Sequence, residues 1–219
     1  MHTDSLTFAD HESVADLHTF LSRARTLGDA EARLQATGDA LAVYVPVLHP
    51  DSLGSAVPTI LGLRIARLEG HRADGVDAVY KLGALTDRLA RMAGGSVELQ
   101  LPPAEAQAAW AGVAPPRQGW VKTEQYDDDA LRAVASEGMG AVAAAVPDNS
   151  GLPVVATVRS RIWSSPSNFG DLPAGAAFAA ELLGFLRPAG SSLLFSNGRW
   201  RRLSSAGGHV LVRVAAQLD

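Results

Sequence analysis

The chain has 219 residues, 47% of them hydrophobic and 19% charged, with a formal net charge of −4. That length suits one large domain or two small ones and can bury a core without staples. With no cysteine, disulfides, thiolate metal sites, iron–sulfur clusters and a cysteine nucleophile are excluded.

Charge is unevenly spread. Residues 1–129 carry 18 acids against 11 Lys or Arg, a net of −7; residues 130–219 carry 5 acids against 8 Arg, a net of +3. The whole molecule has no general pull toward nucleic acid or anionic lipid, but its last third is mildly basic. The start, MHTDSLTFADHES, is polar and acidic, unlike a signal peptide. No apolar run reaches the ~18–20 residues that span a bilayer. A cytoplasmic protein without a membrane partner is expected.

In chain order, the spacing predicts a helix over about 10–27, capped by Asp10, with Val14, Leu17, Leu21, Ala24 and Leu27 on one stripe and Gly28 as its stop. The period then drops to two. Strands are expected on both sides of a Gly38–Asp39 turn, the second with Leu41, Val43, Val45 and Val47 on one face. Pro46 cannot donate to a ladder, so that strand should end there or lie at an edge. Further strands are predicted at 59–68, 76–82 and SVELQL, with a helix at 84–92. The stretch from Pro102 to Tyr126 holds four prolines and two tryptophans and reads as a packed connector, which places a domain boundary at 119/120.

Beyond it, three helices are predicted. The first starts at Asp127 or Asp128, the second is capped by Ser150 and the third opens at Asp171 and Pro173. Asn197–Gly198 then reads as a two-residue hairpin turn that opposes Phe195 to Trp200 and Leu193 to Arg202. HVLVRV is the last strand.

Candidate chemistry is sparse. Asp127, Asp128 and Asp129 point in different directions on a helix, so they read as helix-terminal acids, not a metal cluster. GMGAVA at 138–143 matches a dinucleotide fingerprint, but it follows a helix where a strand is required. His11 and His18 lie about 10.5 Å apart, two turns along one helix, too far for one metal. No metal and no cofactor is expected. No GxSxG elbow or P-loop occurs, and no residue is assigned a catalytic role. The loop His49-Pro50-Asp51 follows a strand, so His49 and Asp51 are candidates for ligand binding or catalysis, although Pro and Asp are also plain turn formers. Arg199, Arg201 and Arg202 flank the hairpin. Three helices followed by a basic hairpin are the parts of a winged helix, whose wing can touch the DNA backbone.

The segments LAVYVPVLHPDSLG, AWAGVAPPRQGW, LPAGAAFAAELLGFL and GRWRRLSSAGGHVLVR resemble a group of uncharacterised proteins, a domain of unknown function from high-GC Gram-positive bacteria. That resemblance covers most of the chain and implies no site residues.

The expected fold is α+β: an N-terminal antiparallel sheet with flanking helices over 1–119, then a winged-helix-like three-helix unit with a terminal hairpin over 120–219. The expected function is a non-enzymatic protein that binds another protein or itself. Nucleic-acid binding through the basic end is the alternative, and an enzyme using the His49 loop the third. Small residues on the first and third C-terminal helices, among them Ala143, Ala144 and Ala145 with Ala176, Ala177, Ala179 and Ala180, allow close helix approach and point to a homodimer.

Overall fold

A computed structural model describes residues 4–52, 54–70, 75–92, 95–147 and 151–214. The chain forms two compact units, the first from residues 1–46 and 63–113, the second from 47–62 and 114–219. Residues 47–62 belong to the second unit although part of the first follows them in the chain.

The first unit opens with β1 (Ser5–Thr7) and α1 (His11–Arg25). Asp10 caps α1, its carboxylate accepting the Ser13 N–H at 2.7 Å. The predicted stripe is buried at Val14, Leu17, Leu21 and Ala24, joined by Phe20. β2 (Glu31–Thr37), β3 (Ala40–Leu48), β4 (Thr59–Arg67) and β5 (Asp77–Lys81) follow, and this unit's sheet has the order β5-β2-β3-β4. The β2–β3 hairpin turns at Gly38, whose φ of 62° favours glycine. β3 runs through Pro46 instead of ending there. Its ladder with β2 extends only to Arg33↔Tyr44, two residues short of the proline, so on that side no donor is missed. α2 (Leu82–Arg91) packs on α1 with Leu82, Leu85 and Leu89 buried. β6 (Glu98–Gln100) pairs with β1, setting buried Leu6 opposite buried Leu99.

The second unit contains β7 (Val121–Asp127), α3 (Asp128–Ala145), α4 (Leu152–Trp163), α5 (Ala174–Leu182), β8 (Ser191–Asn197), β9 (Trp200–Ser205) and β10 (Gly208–Arg213). Its antiparallel strands follow the order β10-β9-β8-β7. The architecture is therefore mixed, with antiparallel sheets and helices, but the winged-helix-like unit does not form. β7 precedes the helices, where a connector was expected, and pairs with β8. Its sequence VKTEQYD lacks apolar alternation because it is an edge strand, exposed along nearly its whole length. α5 is buried at every residue from Ala174 to Ala180, so it cannot be a recognition helix.

Two local expectations are also corrected. The hairpin turns on Gly198–Arg199, two residues out of the expected register: Asn197 opposes Trp200, Phe195 opposes Arg202 and Leu193 opposes Ser204. Gly198 has φ 54° at the first central position, as a II′-type turn demands. Neither Asp127 nor Asp128 makes a side-chain cap to α3. Asp128 is instead fully buried and accepts from the Arg187 N–H at 2.8 Å and the Ser192 hydroxyl at 2.5 Å. The β-branched run of α4 is helical as read, with Gly151 at its N-cap position; the proposed cap Ser150 lies outside the described residues.

Candidate interaction surfaces

The three hairpin arginines are each held by their own chain. The Arg199 guanidinium donates to the Val214 carbonyl at 2.7 Å. Arg201 forms an ion pair with Asp171 at 2.5 Å and also donates to the Gly198 carbonyl at 2.7 Å. Arg202 lies between two rings, 4.8 Å from the Trp120 centroid and 4.5 Å from that of Phe195. Burial pushes its pKa below the usual arginine value, and its buried Nε has no hydrogen-bond partner. The alternation of strand side chains separates this set. Trp200 and Arg202 share one face of β9, and Arg201 takes the other. The three cations therefore do not converge on one point.

The His49 loop is similarly self-contained. The ring Nδ1 of exposed His49 lies 3.0 Å from the Pro50 carbonyl, to which its N–H donates. Asp51 accepts from the Ser52 hydroxyl at 3.2 Å. Among the described residues, no other titratable side chain forms a hydrogen bond or ion pair with either. Among the described residues no group of three or more His, Asp or Glu is placed to hold a metal. A groove of about 280 Å³ in the second unit is lined by Pro58, Ser164, Pro166, Asp171, Leu172 and Val214, among others. Its carboxylate, Asp171, is already paired with Arg201.

What sequence reasoning missed is a surface built by α3 and α4. Gly138 on α3 lets the Trp163 indole of α4 lie against the helix: a Cβ there would sit 2.2 Å from the ring. Trp163 in turn stacks on Phe178 of α5, centroids 4.1 Å apart and planes at 11°. Trp163 is the one residue of α4 that is buried. The rest of its apolar set faces outward or only partly inward. Leu152 is 85% exposed and Val154 46%, with Met139 of α3 at 44%. The signal available in the sequence was Trp163 at the end of an otherwise evenly apolar helix. The alanines expected at a dimer surface divide: Ala176, Ala177, Ala179 and Ala180 of α5 are buried within the protomer, whereas Ala143 and Ala144 of α3 are exposed.

No described helix is long and apolar enough to cross a membrane. No curated protein matches the sequence. Among solved structures, the chain is similar to the DNA polymerase sliding clamp of Caulobacter crescentus, at 11% identity and a TM-score of 0.52, covering 99% of this chain and 67% of that one. It is also similar to a protein of Eubacterium rectale assigned as a DNA polymerase III beta subunit, at 8% identity and a TM-score of 0.56, covering 98% and 66%. At such identities the likeness is one of fold, and the chain spans about two thirds of those proteins. Residues 1–112 match the model of a domain of unknown function, DUF8010, and residues 115–217 that of another, DUF8185; the chain belongs to the DUF8010 family and carries a DUF8185 domain behind it.

Proposed function

We propose that this protein is a non-enzymatic, clamp-like binding protein that acts by associating with itself and with other proteins. The observation that carries the reading is the fold likeness: nearly the whole chain follows the path of a protein named a sliding clamp, a name that describes holding and moving, not bond chemistry. The exposed Leu152 and Val154 of α4 and Met139 of α3 support it, because exposed large apolar side chains gain by being covered in a protein contact. Sedimentation or light scattering of the full chain across the micromolar range tests self-association. A mass above 22.9 kDa that rises with concentration is expected; a mass fixed at that value overturns self-association.

Binding to nucleic acid is the second reading, supported by the word DNA in the names of those relatives and by the net +3 of residues 130–219. It requires Arg199, Arg201 and Arg202 to exchange their present partners for phosphate. Retention on duplex DNA at low salt, weakened and made less salt-dependent by Arg199→Glu with Arg201→Glu, is the expected result. No retention by the wild type rejects it. A ligand or catalytic role for His49 and Asp51 ranks third and is tested by His49→Ala in any assay that finds a small-molecule ligand.

A further inference from the structure

α4 is poorly covered for its composition. Its 12 residues include Leu152, Val154, Val155, Val158, Ile162 and Trp163, yet Trp163 alone is buried. A helix of this composition is normally held in a core. Beside it, α3 turns outward Ala133, Ser136, Gly140, Ala143 and Ala144, all exposed and repeating at three- and four-residue steps. Gly140 has no internal reason to be glycine, since a Cβ there would meet nothing within 4 Å, although a mid-helix glycine costs stability. The two helices also carry opposite charges that find no counter-ion. Neither Glu137 on α3 nor Arg159 and Arg161 on α4 makes a side-chain ion pair or hydrogen bond among the described residues.

We infer that α3 and α4 form a two-fold interface with a second copy of this chain. The face of α4 turned away from Trp163, with Val154, Val158 and Arg161, lies on the small-residue face of the other protomer's α3, and Glu137 faces the partner's Arg161. A second copy is the occupant because one chain carries both complementary halves: apolar side chains with the unpaired cation Arg161, and a close-approach face with the unpaired anion Glu137. A two-fold axis uses each half twice and closes. Four helices packed this way form a bundle, an ordinary solution for covering apolar helix faces. This inference rests on the self-association reading and assigns its surface.

The test is a charge exchange on the full chain, followed by sedimentation. Glu137→Arg alone and Arg161→Glu alone should each weaken the homodimer at least about tenfold, because both symmetric contacts become repulsive. Mixing the two variants should restore a dimer, since both contacts of the mixed pair are again opposite in sign. Val154→Glu should give a monomer, with circular dichroism unchanged because this position is exposed. If the wild type dimerises but the mixture stays weak and Val154→Glu still dimerises, this surface is wrong and self-association stands. If the wild type is monomeric throughout, both fall.

Discussion

The Trp163 indole lies directly against the backbone of Gly138, where a Cβ would come 2.2 Å from ring carbon Cζ3. Two residues along the same helix, Gly140 faces open space. Gly138→Ala should therefore overpack and destabilise the fold by about 1–3 kcal/mol. Gly140→Ala should raise monomer stability by up to about 1 kcal/mol, through helix propensity. Urea unfolding of both variants at a concentration that keeps the chain monomeric measures the difference. Equal effects would show that Trp163 does not use the space above Gly138.

Asp128 joins the start of α3 to the segment after α5. Besides accepting from Arg187 and Ser192, its own N–H donates to the Gly190 carbonyl at 3.0 Å, and the Ser192 hydroxyl lies 2.5 Å from that of Ser205. Asp128→Ala leaves buried donors without an acceptor and should cost about 3 kcal/mol. Ser205→Ala, at the end of the chain of hydroxyls, should cost about 1 kcal/mol. Thermal unfolding of both variants decides; a smaller loss for Asp128→Ala than for Ser205→Ala would refute this ordering.

Tyr126 carries the pH prediction. Its ring stands edge-on to Phe169 at 4.9 Å, and its hydroxyl donates to Glu124. Burial first, then the hydrogen bond and charge of Glu124, raise its pKa well above the ordinary value of 10.0. The folded state thus favours the protonated phenol. This stabilisation is complete below pH 10 and is lost as pH climbs from there toward the folded pKa. Absorbance titration of the tyrosines should show a late component that Tyr126→Phe removes. The same substitution should make stability fall less steeply above pH 10. A Tyr126 that ionises at its free value would refute this.

Arg202 should matter through stacking, not through charge alone. Arg202→Ala is expected to cost about 2 kcal/mol, from two rings left without their cation. Arg202→Lys should recover only part, because an ammonium lacks the planar face. Full recovery by lysine, read by denaturant unfolding and by the fluorescence of Trp120, would argue for charge only.

The turn next to it is strained only for residues with a Cβ. At φ 54° with open space around it, Gly198 should tolerate the volume of valine but not its backbone preference, so Gly198→Val should lose about 1–2 kcal/mol. A neutral result in the same unfolding assay would mean that the turn relaxes.

Residues 10–100 were largely legible in sequence because their elements bury one face. Asp10, the stripe from Val14 to Ala24 and the alternation of β2 and β3 each state a period that a core requires. β7 was invisible for the opposite reason: an exposed edge strand buries no face, so VKTEQYD has no alternation to read. The hairpin was legible as a hairpin, but its register was not. Asn-Gly favours one turn by local preference, whereas pairing along β8 and β9 set Arg202 beside Phe195 and moved the turn to Gly198–Arg199. The same division holds for the surfaces. Sequence alone determined which residues are small, apolar or charged on α3, α4 and α5. Only the tertiary structure decided that α5 buries its alanines while α3 exposes Ala143 and Ala144, and that Trp163 anchors α4 and leaves Leu152 in solvent. Burial is a property of neighbours distant in sequence, and helical periodicity cannot name them when every face of a helix is apolar.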